Sequence, residues 1–404
     1  MRVLHLADLH LDTPYSHRSK DLRDQLQDAA GAAFAAAVDA AIGEELVAVL
    51  VAGDLFDRDT LSFATERRLI EQIGRLGAAG IPFLYACGNH DPAGQTRALQ
   101  WPDNVTLFEH EKPRSVEVAT PAGRLRVTGA GHQSQRCGTN LAALFPTVDR
   151  TDGVPHIALL HAQLESAINH DRHDRYAPAT RSDLVDKGYD YWALGHVHER
   201  QQVCEDPVAW YAGIPQGRTP KESGPRGANI VALPAAGGAT VEFLPLAPLT
   251  WHTVKCTRLE GAENFSALVK ILRKQCRPAD WPAPAKQLLL RLQLTGASPL
   301  HRELRDRDNI DTLIEELQAA LGTLDVEIDV TAVHMALDSS NLEQRNDVLG
   351  EALRLLTAAQ TDEDLLRTLA PEPLASGEAN LDRLKTLCDG ADRELIAALL
   401  RVDS

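Results

Sequence analysis

Closely spaced cysteines are missing from this sequence. Its six cysteines are spread over 404 residues, and no C-x-x-C pair occurs among them. Zinc ribbons and small disulfide-rich secreted domains need cysteines at short, repeated intervals, so the spacing argues against both classes. We therefore expect reduced thiols and a cytoplasmic location. The cysteines are Cys87, Cys137, Cys204, Cys256, Cys276 and Cys388.

Basic residues are outnumbered by acidic ones. The chain has 41 lysines and arginines against 57 aspartates and glutamates, which gives a formal net charge of −16. Proteins that cover duplex nucleic acid neutralise its phosphates with lysine and arginine, so this charge argues against a broad basic footprint. Any contact with nucleic acid must be local, mediated by metal ions or shared with a partner.

Long hydrophobic runs are also lacking. The longest apolar stretch, Ala29 to Ile42, is interrupted by Asp39, and it is shorter than the ~20 apolar residues that a membrane-spanning helix needs. The opening residues, MRVLHLADLHLD, place a histidine and an aspartate where a signal peptide has its apolar core. We expect no membrane association and no targeting segment.

What is present is the composition of a folded globular protein. Hydrophobic residues make up 44% and charged residues 24% of the chain, a balance typical of chains that bury a core. At roughly 100–200 residues per domain, the length predicts two or three domains.

The first half of the chain repeats one pattern, in which a short apolar run of strand character leads to an aspartate, asparagine or histidine. Helix-length stretches at about 20–45 and 60–79 separate the early runs, which predicts a βαβα opening. Ligands gather where the carboxyl ends of strands open into a crevice, so five such ends predict one shared site. The runs are 3–7, 47–51, 83–86, 157–160 and 191–194.

The remaining pattern predicts three domains. Short strands with tight turns continue to the end of the first domain, residues 1–247. Residues 248–336 have the pattern β-α-β-α-β, which predicts a small α/β domain. Residues 337–404 lose strand character and carry leucines at helical spacing, and the 14 acidic and 7 basic side chains after position 337 give this tail a net charge of −7. Such short helices either pack on the body or dock on a partner.

The polar residues at the strand ends are the side chains that a pair of divalent cations requires. Such a pair needs a carboxylate that bridges the ions, and oxygen or nitrogen donors that complete each coordination shell. Gly53 lets the backbone approach closely beside one of the carboxylates. Asp12 and Asp57 follow motif carboxylates and are expected to cap turns or orient ligands. The candidate ligands are Asp8, His10, Asp54, Asn89, His161, His196 and His198.

These residues lie in motifs that resemble the calcineurin-like metallophosphoesterase superfamily. The superfamily signature, D-x-H, G-D, G-N-H-D, H and G-H-x-H, occurs here in the same order, with each element after an apolar run. A single element would be weak, but five in order make a specific match. The elements are Asp8-Leu9-His10, Gly53-Asp54, Gly88-Asn89-His90-Asp91, His161 and Gly195-His196-Val197-His198.

The resemblance implies an α/β fold, a four-layer αββα sandwich, to which this chain adds the small α/β capping domain and the helical tail. It also implies two metal ions, with Mn²⁺ expected, although Fe, Zn or other ions suit such mixed ligands. His90 is the expected general acid, and Asp91 is expected to orient its imidazole. By position, the implied ligands are Asp8, His10 and His198 for one metal and Asn89, His161 and His196 for the other, with Asp54 bridging.

Longer similarities resemble the SbcD-like DNA repair nucleases and their YhaO-type branch. They include Gly53-Asp54-Leu55-Phe56-Asp57 and the run Gly213-Ile214-Pro215-Gln216-Gly217-Arg218. This resemblance implies an exonuclease and endonuclease on DNA that acts in DNA repair and recombination. It also implies a homodimer and a YhaN/SbcC-like coiled-coil ABC-type ATPase as partner. The candidate substrate contacts near the motifs are His132, Arg136 and Arg218.

Two other functions remain open at this point. Phosphoesterases that act on nucleotides or other phosphodiesters share the same metal core, so the core alone does not select the substrate. The second alternative is a non-catalytic scaffold subunit of an ATPase complex, and the complete set of candidate ligands argues against it.

Overall fold

The computed structural model describes residues 1–57, 61–94, 99–121, 123–149, 151, 153–165, 176–234, 238–284, 287–335, 342, 344–369 and 384. The chain divides into two compact units. The first comprises Met1–Val254, Arg273–Leu292 and Ile314–Ile328, and the second comprises Lys255–Leu272, Gln293–Leu313 and Asp329–Ser404. The three-domain division at 247/248 and 336/337 stays a prediction.

The regular elements of the described residues are strands joined by helices and short turns. The strands are β1 (Arg2–Leu6), β2 (Val49–Ala52), β3 (Phe83–Ala86), β4 (Val105–Phe108), β5 (Arg114–Thr120), β6 (Gly123–Ala130), β7 (His156–His161), β8 (Tyr191–Gly195), β9 (Gln201–Cys204), β10 (Val208–Tyr211), β11 (Gly227–Ala232), β12 (Thr240–Pro245), β13 (Thr250–Cys256), β14 (Leu288–Ser298) and β15 (Asp325–Met335). The helices are α1 (Lys20–Gly43), α2 (Phe63–Ala78), α3 (Arg181–Val185), α4 (Phe265–Gln275), α5 (Arg307–Leu321), α6 (Val348–Thr361) and α7 (Glu363–Leu369).

The first sheet has six strands in the order β12-β11-β1-β2-β3-β4. Strands β1 to β4 run parallel, and β11 pairs antiparallel with β1. Because successive side chains of a strand point to opposite faces, each strand contributes to two cores. Leu4 and Leu6 pack in one cluster with Phe34 of α1 and Phe83 of β3. Val3 belongs to a different cluster, so α1 and α2 cover only one face of this sheet.

The second sheet packs against the other face of the first sheet. Its strand order is β5-β6-β7-β8-β10-β9. Val3 and Leu84 from the first sheet share a buried cluster with Ile157 and Tyr191 from the second. The outer face of the second sheet is covered in part by α3, which contributes Leu184 to a further cluster. The layers are therefore helix, sheet, sheet and helix, and the predicted αββα sandwich is confirmed.

Side-chain caps set the helix starts in the sandwich. The hydroxyls of Ser19 and Ser62 accept hydrogen bonds from backbone N–H groups one turn into α1 and α2. The carboxylate of Asp12 accepts a hydrogen bond of 2.6 Å from the backbone nitrogen of Ser62. This contact ties the loop after β1 to the start of α2, as expected for a turn-capping aspartate. The helices predicted at 20–45 and 60–79 are confirmed with slightly shorter bounds.

The third sheet has the order β13-β14-β15. Helices α4 and α5 lie between these strands in the sequence, so the predicted β-α-β-α-β succession is confirmed. In the tail, Asp347 caps the start of α6 through a hydrogen bond from the backbone nitrogen of Gly350. Of the leucines at helical spacing in the predicted tail, those beyond position 369 lie outside the described residues, except Leu384. Among the residues that the structure describes, no helix has the length and apolar character needed to cross a membrane.

Candidate metal centre

The candidate site lies at the carboxyl ends of strands from both six-stranded sheets. Strands β1, β2 and β3 of the first sheet end shortly before Asp8, Asp54 and Asn89. Strands β7 and β8 are parallel neighbours in the second sheet, and they end at His161 and just before His196. Each group of parallel strands places its carboxyl ends at one edge of its sheet, and the two edges meet here.

Asp8, His10 and His198 form the first group, with one donor atom from each within 4.8 Å of the others. The Nε2 atoms of His10 and His198 are 3.2 Å apart. Nδ1 of His10 lies 2.9 Å from a carboxylate oxygen of Asp57, and Nδ1 of His198 lies 2.6 Å from one of Glu222. With each Nδ1–H donating to its carboxylate, each Nε2 atom carries a lone pair, and the two lone pairs face each other. A cation between them would remove that repulsion.

Asn89, His161 and His196 form the second group. Oδ1 of Asn89 lies 2.9 Å from Nε2 of His161 and 3.2 Å from Nδ1 of His196. Oδ2 of Asp54 lies 3.4 Å from Nε2 of His161 and 3.7 Å from Nε2 of His10. One carboxylate oxygen therefore faces both groups, as a bridging ligand must.

Two glycines allow this close packing. A Cβ atom added at Gly88 would overlap Oδ1 of Asp54 and lie 2.6 Å from the backbone nitrogen of Asp54. A Cβ atom added at Gly53 would overlap the imidazole ring of His161. A side chain at either position would push a candidate ligand out of place.

The backbone is strained at four of the candidate ligands. The φ angles are 52° at Asp8, 46° at His10, 51° at Asp54 and 105° at His196. Residues other than glycine seldom adopt this left-handed region, and clusters of such residues mark functional sites. Hydrogen bonds to the backbone oxygens of Gly53 and Asp54 hold the nitrogens of Asp8 and His10 in place, at 3.0 Å and 2.9 Å.

Burial sets the protonation states of the candidate ligands. Burial lowers the pKa of His10 to about 3 and lowers the pKa of His161 well below its usual value. Both imidazoles are therefore neutral at pH 7 and can donate lone pairs. Burial, followed by the charge of Asp54, raises the pKa of Asp8. Crowded buried carboxylates beside neutral imidazoles are a donor set that fits divalent cations.

His90 lies at the edge of this group, with 45% of its side chain exposed. Its Nδ1 atom is 3.2 Å from Oδ1 of Asp57, and the hydrogen bond to Asp57 raises the pKa of His90 against the effect of burial. The prediction that Asp91 orients His90 is wrong. The Asp91 carboxylate is buried and accepts backbone hydrogen bonds instead, from Gly88, Asp54, Leu55 and Phe56. Asp91 therefore holds together the backbone at Gly88 and at Asp54. Asp57 contacts His10, as a ligand-orienting carboxylate would, and that role stays a prediction.

The three candidate substrate contacts have different positions. Nη1 of Arg218 lies 3.1 Å from Oδ1 of Asp57, so this guanidinium is part of the site. His132 is completely buried, and its Nε2 atom is 2.8 Å from the backbone oxygen of His161. The prediction that His132 contacts substrate is therefore wrong, because the side chain supports the strand end beneath the site. Arg136 is exposed, and its role stays a prediction.

Sequence reasoning missed Glu222, which contacts His198. Its second oxygen accepts hydrogen bonds from the backbone nitrogens of Arg218 and Thr219. The spacing Thr219-x-x-Glu222 is that of a capping box, which could have shown that this carboxylate accepts backbone hydrogen bonds. No local pattern shows the contact with a histidine 24 residues earlier in the chain.

Comparison with known proteins agrees with the fold. A family model described as calcineurin-like phosphoesterase matches residues 1–200, and a model described as the middle domain of the metallophosphoesterase YhaO matches residues 251–337. The chain is 32% identical over 331 residues to the uncharacterized metallophosphoesterase YhaO of Bacillus subtilis, covering 79% of this chain and 77% of that protein.

Similarity extends to two proteins named for DNA double-strand break repair. The chain is 24% identical over 310 residues to the DNA double-strand break repair protein Mre11 of Aeropyrum pernix, covering 72% of this chain and 73% of that protein. It is 28% identical over 218 residues to the protein of the same name from Sulfurisphaera tokodaii, covering 53% of this chain and 54% of that protein. With the motifs, the sandwich and the paired ligand groups in place, this chain belongs to the calcineurin-like phosphoesterase family, metal-dependent hydrolases of phosphoester bonds with a dimetal centre.

Proposed function

We propose that this chain is a Mn²⁺-dependent nuclease that hydrolyses phosphodiester bonds in DNA during repair. The observation that carries the proposal is that both ligand groups converge on one carboxylate oxygen of Asp54. The motif resemblance to SbcD-like nucleases supports DNA as the substrate. So does the similarity to two proteins named for DNA double-strand break repair.

The proposed ligand assignment follows the two groups of side chains. Two divalent cations bound there would supply Lewis-acid polarisation of the phosphodiester and would lower the pKa of the attacking water. Mixed oxygen and nitrogen donors suit Mn²⁺. The proposed ligands are Asp8, His10 and His198 for one ion and Asn89, His161 and His196 for the other, with Asp54 shared.

The chain's own residues have distinct tasks in this proposal. Asp57 accepts a hydrogen bond from Nδ1 of His90, which fixes the imidazole and favours its protonated form. His90 then donates its Nε2 proton to the leaving oxygen as the P–O bond breaks. Arg218, held by Asp57, would pair with a phosphate oxygen of the substrate.

The partner in this proposal is a coiled-coil ABC-type ATPase. The net charge of −16 argues against a broad basic footprint, so recruitment by a partner would help to bring DNA to the site. Apolar side chains exposed on α6 and α7 support docking through the tail, since Val348 is 75%, Leu355 40% and Leu369 51% exposed. The proposed homodimer rests on the resemblance to SbcD-like nucleases. The proposed cytoplasmic location rests on the cysteine spacing.

A comparison of two substrates tests the proposal. Linear and hairpin DNA would be incubated with the purified chain and Mn²⁺, with and without the ATPase, beside the small diester bis-p-nitrophenyl phosphate. We expect cleavage of DNA by the wild type. We also expect His90→Ala to lose on the order of 10²–10⁴ in rate, as general acids typically contribute, while it still binds metal.

The other outcomes identify the alternatives. Hydrolysis of the small diester without DNA cleavage, even with the ATPase present, would contradict the nuclease proposal and favour a nucleotide or other phosphodiester substrate. Metal binding without hydrolysis of either compound would favour a scaffold subunit.

A further inference from the structure

The carboxylate of Glu222 lies between a candidate metal ligand and a candidate substrate contact. Oε1 is 2.6 Å from Nδ1 of His198. Oε2 accepts hydrogen bonds of 2.5 Å from the backbone nitrogen of Arg218 and 2.9 Å from that of Thr219. The Glu222 residue is only 8% exposed, so water contributes little to these contacts.

The loop from Gln216 to Gly224 is itself anchored on the segment that leads into β13. The side-chain amide of Gln216 donates to the backbone oxygen of Leu249, at 2.9 Å, and accepts from the Leu249 nitrogen, at 3.2 Å. The indole nitrogen of Trp251 donates to the oxygen of Gly217, at 3.2 Å, and the nitrogen of Gly224 donates to the oxygen of Trp251, at 2.9 Å. The loop is therefore fixed at both ends, and the position of Glu222 is defined.

Only an ionised carboxylate satisfies all three donors around Glu222. A carboxylate accepts hydrogen bonds at both oxygens, whereas a glutamine side chain accepts at one atom and donates at the other. A glutamine at position 222 would turn its NH₂ group either toward the backbone nitrogens of Arg218 and Thr219 or toward Nδ1 of His198. The second orientation would favour the His198 tautomer with the proton on Nε2, which removes the lone pair that faces His10.

We propose that Glu222 is a positioning residue of the dimetal centre, which holds His198 as an Nε2 ligand and fixes the loop that carries Arg218. The inference rests on the metal assignment in the proposed function. It goes beyond that assignment because it makes one ligand site depend on a loop that is anchored at Leu249 and Trp251. Partners that orient a ligand histidine typically change metal affinity by 10–100-fold when they are removed.

Calorimetric titration of the metal-free protein with Mn²⁺ tests this inference without any substrate. We expect wild type to bind two ions. In Glu222→Gln, the affinity of the site that contains His198 should fall on the order of 10–100-fold, while the site of Asn89 and His161 keeps its affinity. Glu117→Gln is the matched control, because Glu117 pairs with Arg124 and Arg126 on the second sheet and should leave both affinities unchanged.

The wild-type titration also separates this inference from the proposed function. Wild-type metal binding without DNA cleavage would contradict the nuclease proposal alone. Two unchanged Mn²⁺ affinities in Glu222→Gln would overturn the role of Glu222 alone. If Glu222→Gln shows no cooperative thermal unfolding, Glu222→Asp decides, because it keeps a carboxylate that is one methylene shorter. Selective weakening of one site supports the inference, and equal weakening of both sites contradicts it.

Discussion

Replacing Asp57 by asparagine tests whether this carboxylate acts on catalysis through His90, the proposed general acid, or through His10, a candidate metal ligand. Oδ1 of Asp57 lies 2.9 Å from Nδ1 of His10, 3.2 Å from Nδ1 of His90 and 3.1 Å from Nη1 of Arg218. Burial opposes ionisation of Asp57, but the hydrogen bonds from His10 and His90 hold the pKa of its carboxyl below the usual range. Asp57→Asn removes this negative charge and leaves the shape of the side chain almost unchanged.

The magnitude follows from the role of His90. The hydrogen bond to Asp57 raises the pKa of His90, so its acid form persists to higher pH than in an unperturbed histidine. In Asp57→Asn the pKa falls, and the alkaline limb of the pH–kcat profile should move to lower pH. We expect kcat on DNA to fall about 100-fold, which corresponds to about 2.7 kcal/mol. The loss on bis-p-nitrophenyl phosphate should be smaller, because p-nitrophenolate leaves readily without a proton.

The assay is single-turnover cleavage of both substrates at saturating Mn²⁺, across a range of pH. Asp12→Asn is the matched control, since the Asp12 carboxylate caps α2 and should affect stability rather than kcat. If Asp57 acts through His90, adding Asp57→Asn to His90→Ala should cost little more. Equal losses on both substrates, or additive losses in the double variant, would refute the coupling and indicate that Asp57 acts through His10.

Three further substitutions test the packing of the site, of helix α1 and of the core. Gly88→Ala should reduce the Mn²⁺ stoichiometry measured by calorimetry, because the added Cβ overlaps Asp54. Gly31→Ala in α1 is the matched control, because its added Cβ meets no atom within 4 Å. It should raise the free energy of unfolding, measured in urea, by about 0.5–1 kcal/mol. Unchanged stoichiometry in Gly88→Ala would contradict the bridging role. Burial lowers the pKa of His5 from 6.5 to about 3, so its contribution to stability is complete above pH 6.5 and is lost as the pH falls toward 3. Between pH 6.5 and 5, the free energy of unfolding in urea should fall by about 2 kcal/mol more for the wild type than for His5→Gln. Parallel plots of unfolding free energy against pH for the two proteins would contradict this.

The order of motifs along the chain was enough to predict where the site lies. Apolar runs that end in polar residues predicted strand ends, and Asp8, Asp54 and Asn89 follow their strands as expected. The serines that begin α1 and α2 are local signals of the same kind. By contrast, β4, β5 and β6 were not predicted. In β5, which lies at the sheet edge, most residues are exposed and charged residues are mixed with apolar ones, so its strand pattern is weak.

Contacts across the fold could not be predicted in this way. The sequence suggested Asp91 as the partner of His90 because the two are neighbours in the chain, but the structure assigns that contact to Asp57. His132 was predicted to contact substrate, but in the folded chain it is buried against the backbone of His161.

The types of the candidate ligands, their order and the strands before them can all be predicted from local sequence, since they depend on neighbours within a few residues. The assignment of β1, β2 and β3 to one sheet and of β7 and β8 to the other comes from the folded structure, as does the contact between Glu222 and His198. Such pairings depend on distances between segments far apart in the chain. Those distances are set by how the two sheets pack, and no local pattern records them.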